Sequence, residues 1–182
     1  MLIAAIVVLA LVVAALGAVH FSYRRRRPAQ APAASAGRIL FPFVAYALSP
    51  RALDAALRLA RAEEATLVPV FLAQVPFHLP LDAPLPRQSS VALALQEAIE
   101  QRASSFQVPV DARIERGRTY RHALRATLAH ERFERIVIAA AANGNPGFNP
   151  EDVAWLLEHA PGEIVVLRPD AGHRHGSATL PA

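Results

Sequence analysis

Arg135-Ile136-Val137-Ile138-Ala139-Ala140-Ala141, followed after a Gly-rich loop by Glu163-Ile164-Val165-Val166-Leu167, is the stretch that decides how this chain folds. Both segments are continuous apolar runs rather than alternating ones, the pattern of strands covered on both faces. Between them, Asn149-Pro150-Glu151-Asp152 reads as a helix start. Its amide can cap, its proline fits a first turn where an N–H has no partner, and its carboxylates suit the positive end of the helix dipole. Strand, capped helix and strand in that order form a crossover unit and predict a parallel sheet.

Working upstream, the same unit recurs. Ile39 to Ala45 is a compact apolar run, Ser49-Pro50 supplies a cap and a first-turn proline, and Leu53, Leu57 and Ala60 stripe a helix ending near Glu64. Thr66 to Val75 is the next strand. Pro76, Pro80, Pro84 and Pro86 make an extended connection to a helix predicted from about Ser90 to Phe106, with Leu95, Ala98, Ile99, Arg102 and Phe106 at helical spacing. Val108 to Ile114 is predicted as the third strand. It leads through Glu115-Arg116-Gly117 to a helix capped by Thr119 and striped by Tyr120, Ala123, Leu124, Thr127 and Leu128. The expected fold is α/β, a three-layer sandwich around a five-stranded, doubly wound parallel sheet over residues 38–169, with a polar tail over 170–182 expected to be disordered.

Ahead of this domain, Leu2 to Tyr23 is an almost unbroken apolar run followed at once by Arg24, Arg25, Arg26 and Arg27. A helix of that length reaches about 33 Å, which matches a hydrocarbon core of roughly 30 Å. Four arginines resist translocation and are drawn to anionic lipid. The expectation is a single-pass anchor in the inner membrane, N-terminus out and domain on the cytoplasmic face, with residues 24–37 as a basic juxtamembrane run and Ala/Pro spacer. A cleaved signal peptide would carry its positive charge before the apolar stretch, not after it.

The charges outside that run cancel. All 15 acidic residues lie after Arg27, as do all the basic residues except those four arginines, so the domain is formally neutral despite the chain's net charge of +4. Its basicity points to lipid and away from nucleic acid. There is no Lys, which excludes a Walker-type phosphate loop, a Schiff base and a Ser-Lys dyad. There is no Cys, which excludes thiol nucleophiles, disulfides and thiolate metal sites.

Several phrases resemble the universal stress protein family. Arg38-Ile39-Leu40-Phe41-Pro42-Phe43-Val44 looks like its opening strand, Ala52 to Ala65 like its first helix, and Glu115-Arg116-Gly117 like the segment leading into its third helix. The ending, His159-Ala160-Pro161-Gly162-Glu163-Ile164-Val165-Val166-Leu167-Arg168, is similar to a His-Ala-Pro corner turning into the last strand. The resemblance implies pairing through that last strand, and in nucleotide-binding members an Asp at the end of the first strand, where this chain has Val44. It also implies a phosphate loop with two glycines followed later by Gly and Ser or Thr. Gly144-Asn145-Pro146-Gly147 keeps the first pair, but Pro150-Glu151 occupies the later place. Pro146 and Pro150 offer no N–H, and Glu151 and Asp152 repel a phosphate.

Tyr46, Asn143, Gly144, Asn145 and Gly147 are therefore the candidate nucleotide-binding residues of a degenerate crevice beyond the carboxyl ends of the strands. Histidine is the remaining metal or base candidate, yet His122 and His130 are eight apart and share no ligating face, and His159, His173 and His175 stand singly. Ser49 lacks the glycines of a nucleophile elbow. The expected function is a non-enzymatic, membrane-anchored accessory or regulatory subunit, without cofactor or metal, forming a homodimer or joining a membrane protein. The alternative is a stress sensor that binds ATP, another nucleotide or a small molecule through the Gly144 to Gly147 loop.

Overall fold

The apolar runs that begin at Arg38, Thr66 and Arg135 become strands with side chains buried on both sides of a sheet, whereas the last run, Glu163–Leu167, expected to be covered on both faces, forms an edge strand that is only partly covered. The computed structural model describes residues 37–44, 48–141 and 148–168. The described residues all belong to one unit of the chain, Ser35–Ala182. Strands β1 (Arg38–Phe43), β2 (Thr66–Gln74), β3 (Arg113–Gly117), β4 (Arg135–Ala139) and β5 (Glu163–Leu167) form one sheet in the order β3-β2-β1-β4-β5, every pair parallel. The connecting helices are α1 (Pro50–Ala62), α2 (Pro86–Phe106), α3 (Tyr120–His130) and α4 (Pro150–His159).

Alternation along the strands sorts the core into two layers. Ile39, Phe41 and Phe43 of β1, with Leu67 and Phe71 of β2, cluster with Leu53, Leu57 and Ala60 of α1 and Ile99 of α2. Leu40 and Val44, with Val68, Val70 and Leu72, cluster with Leu124 of α3 and Leu156 of α4. Each fully buried Leu or Phe contributes about 1.5–3 kcal/mol, so both helical layers are needed to hold the sheet.

Two prolines interrupt ladders, each on one side. The Gly37 carbonyl accepts from Thr66 N–H on β2, whereas the Arg38 carbonyl accepts from Glu134 N–H beside β4. Backbone groups alternate along a strand, so Pro42 presents its missing N–H toward β4, and the β1–β4 pairing ends after Leu40 and Ile136. By the same alternation Leu67 faces β3, donating to Pro109 and accepting from Asp111, and two residues on Pro69 has no donor to offer. The ladder breaks there. Val110 keeps an isolated bridge to Leu67, and continuous pairing resumes at Val70 with Arg113. The strand predicted over Val108 to Ile114 is thus shifted to Arg113–Gly117 by a proline on its neighbour.

The second helix also differs from expectation. It starts at Pro86, not near Ser90, since proline is already suited to a first helical position and Ser89 N–H reaches Leu85 O at 2.8 Å. Its buried residues are Ala92, Ile99 and Ala103; Ala98 is exposed, and Arg102 turns outward to Asp54. The other caps are as predicted, with Ser49, Thr119 and Asn149 each accepting a backbone N–H of the first turn. No helix among the described residues is long and apolar enough to cross a membrane. The predicted anchor over 2–23, Arg24 to Arg27 and the tail over 170–182 lie outside the described residues.

Candidate functional site

The strand order reverses at β1, which pairs with β2 on one side and β4 on the other. An open α/β sheet offers a crevice at such a point, outside the carboxyl ends of the strands. Pro42 ends the β1–β4 ladder here, so the two strands separate toward this edge.

The described residues at the crevice are mostly apolar or already engaged. Val44, where the resemblance implies a carboxylate, is 6% exposed and belongs to the same buried cluster as Phe148, itself 5% exposed. Phe148 closes back on β4: its carbonyl accepts from Ala141 N–H at 2.7 Å, and its N–H donates to Ala139 O at 3.4 Å. Asn149 Oδ1 accepts from Asp152 N–H at 2.8 Å, so its side chain is occupied in capping α4. The first turn of α4 carries Glu151 and Asp152, and Arg121 of α3 pairs with Asp152 at 2.7 Å. The positive end of α4 is neutralised by the chain's own carboxylates, which leaves little attraction for a phosphate. Tyr46, Asn143, Gly144, Asn145 and Gly147 lie outside the described residues.

Each described helix-bound histidine has one ring nitrogen committed. His130 Nδ1 lies 2.6 Å from Ala126 O and His159 Nδ1 2.9 Å from Trp155 O; a carbonyl only accepts, so both carry the proton on Nδ1. His122 takes the other tautomer, because its Nδ1 accepts from Arg118 N–H at 3.2 Å. Among the described residues no three His, Asp or Glu side chains gather into a possible metal site.

The densest charge lies at the opposite, amino edge of the sheet. Arg38 pairs with Asp111, and its Nε lies 2.5 Å from Glu131 at an angle poor for a hydrogen bond. Arg113 pairs with the same two carboxylates, at 2.6 and 2.7 Å. Burial acts to raise the Asp111 carboxyl, but hydrogen bonds from Arg113 and Arg38 outweigh it and hold the group below the usual carboxylate range. Two cations and two anions compensate one another, so this cluster ties β1, β3 and the end of α3 together rather than awaiting a ligand. A depression of about 660 Å³ is also at this edge, between His130, Phe133, Pro161 and Gly162, away from the crevice.

A feature that sequence reasoning misses lies between β2 and α2. The proline-rich connection, expected to be an extended loop, is an arch held by Arg116 and Arg118 at the end of β3. Its signal in the sequence is the apolar series Phe77, Leu79 and Leu81 set among prolines, with no helical or strand period to absorb it.

The fold has clear likenesses among solved structures. The universal stress protein UspA from Lactobacillus plantarum matches at 22% identity and a TM-score of 0.56, covering 74% of this chain and 99% of that one. A universal stress protein in complex with cAMP matches at 15% identity and a TM-score of 0.55, covering 75% and 100%. A universal stress protein family protein from Arabidopsis thaliana with AMP bound matches at 12% identity and a TM-score of 0.53, covering 74% and 93%. At such identities the likeness is one of fold. No protein-family model and no curated protein matches the chain.

Proposed function

We propose that this chain is a non-enzymatic, membrane-tethered accessory subunit of universal-stress-protein type, with a degenerate nucleotide crevice, that works by protein association through β5. The observation that carries the reading is the contrast between the two sheet edges. β3 is guarded by Arg113, Glu115 and Arg116, the charged protection that edge strands use against pairing. After Glu163, β5 is Ile164-Val165-Val166-Leu167, with Val166 42% exposed and no charged side chain in that run. An unguarded apolar edge is what a partner strand or a second copy needs. The apolar crevice lip at Val44 and Phe148 supports the same reading, because it removes a polar contact from the nucleotide side. Purification of the intact protein in mild detergent, with mass spectrometry of what stays bound, tests it. A stoichiometric membrane partner or a β5-dependent dimer supports the reading, and a lone monomer counts against it.

A nucleotide- or small-molecule-binding stress sensor is the second reading, favoured by the fold neighbours solved with cAMP and AMP. Thermal stabilisation by ATP, AMP or cAMP that disappears in Gly147→Arg would replace the first reading with this one.

A further inference from the structure

We propose that the arch over residues 75–85 is a docking surface for an acidic amphipathic segment of another protein. This goes beyond association through β5, since the arch stands beside β3 at the other side of the sheet.

The arch is a rigid frame. Arg118 Nη1 donates to Pro76 O at 2.5 Å and Leu79 O at 2.7 Å, and Arg116 Nη1 donates to Asp82 O at 3.0 Å and Ala83 O at 3.2 Å. Two tight turns, Leu79 N–H to Pro76 O and Ala83 N–H to Pro80 O, set its curvature, both at 3.1 Å. Gln88 Nε2 to Gln74 O at 2.9 Å and Gln74 Nε2 to Arg118 O at 3.2 Å close its base. Pro76, Pro80 and Pro84 restrict the backbone further.

What the frame holds out is apolar. Phe77 is 80% exposed and Leu81 41% exposed, and the Arg118 guanidinium lies 5.7 Å from the Phe77 ring centre. A loop without purpose for these side chains would gain by folding them inward. Here charge-assisted hydrogen bonds keep the backbone in a shape that presents them, and such pre-organisation lowers the ordering cost of binding. An exposed aromatic backed by arginine is the composition of an interface anchor.

The charge on the arch selects the occupant. Among the described residues, the guanidinium groups of Arg116 and Arg118 meet neutral carbonyls and a ring and no carboxylate, and Arg87, exposed at the start of α2, has no ion pair. α2 begins without a side-chain cap and without an acidic residue in its first turn, so its positive dipole end adds to the same field. Asp82 is the one carboxylate within residues 75–85. The surface is thus apolar at its centre and positive around it, which fits a segment with an apolar face and flanking Glu or Asp.

The test uses the full-length protein in mild detergent and a fluorescein-labelled peptide alternating Leu and Glu at helical spacing, followed by fluorescence anisotropy. A second peptide replaces every Glu with Lys. The acidic peptide is expected to bind, with Phe77→Ser weakening it about tenfold or more and Arg87→Gln severalfold. Both side chains are exposed, so neither change threatens folding. Val166→Arg on β5 should leave peptide binding intact, which separates this inference from the β5 reading. Equal binding of the Lys peptide, indifference to Phe77→Ser, or no binding of either peptide overturns it. Phe77-dependent self-association without peptide also overturns it, by making a second copy the occupant.

Discussion

Asp54 of α1 and Arg102 of α2 face each other through two parallel hydrogen bonds of 2.8 Å, one at each carboxylate oxygen. The pair joins two helices on the same face of the sheet. The hydrogen bonds from Arg102, acting against partial burial, hold the Asp54 carboxyl below its ordinary value. A lowered value in the folded chain means that the unfolded chain takes up the proton first as pH falls. The contribution of the pair is therefore whole above the unfolded carboxyl value of about 3.9 and is lost as pH falls through the lower folded one. Denaturation midpoints of wild type and Arg102→Gln should differ at pH 7 and converge in acid; a gap that widens below pH 4 would contradict this.

Gly117 ends β3 where α3 comes down on it. A Cβ there would sit 2.5 Å from Ala123 N and 2.8 Å from Thr119 O, both backbone atoms that cannot swing aside. Gly117→Ala is expected to destabilise the domain by about 1–3 kcal/mol. Urea unfolding measures it, and a neutral substitution would mean that α3 is not anchored at this point.

The Asn149 cap predicts a smaller effect. Its Oδ1 satisfies Asp152 N–H at 2.8 Å, and Asn149→Ala should cost about 1 kcal/mol, with Asn149→Asp close to wild type. Chemical denaturation of the two variants side by side distinguishes loss of the cap from loss of an unrelated contact.

Val44→Asp supplies the carboxylate that the family resemblance implies at this position. At 6% exposure among Leu40, Val68 and Phe148, the charge has little water and no described partner. We expect a loss of roughly 3 kcal/mol or more and no rescue by ATP. A stable variant that gains thermal stability with ATP would show that the crevice remains a working nucleotide site.

Val166→Arg places a charge on the open edge strand at a residue 42% exposed. Light scattering after size exclusion should show any β5-mediated dimer reduced to monomer, with the unfolding temperature of the monomer unchanged. Persistence of the dimer moves the association surface elsewhere.

Local patterns carry much of the fold. The caps at Ser49, Thr119 and Asn149, and the boundaries of β5, are legible directly, because capping residues and a continuous apolar run are properties of neighbours in sequence. The third strand is misplaced by sequence because the cause, Pro69, belongs to a different strand and acts only once the two are paired. Spacing puts Arg102 in a core stripe, whereas the carboxylate that draws it outward is 48 residues earlier. The crevice residues named from the sequence, Tyr46, Asn143, Gly144, Asn145 and Gly147, remain expectations, while Val44 is within the described residues and is apolar and buried.

The α/β class, the number and direction of the strands and the chemistries excluded by the absence of Lys and Cys are all properties of the chain as written. They follow from periodicity, turn residues and side-chain inventory, none of which needs a distant partner. The strand order, the divergence of β1 from β4 at Pro42, the compensated ion cluster around Arg38 and the arch held by Arg116 and Arg118 arise only in the folded chain. Each depends on which distant groups meet, and a carbonyl 42 residues from the guanidinium that binds it leaves no mark on the local pattern of either.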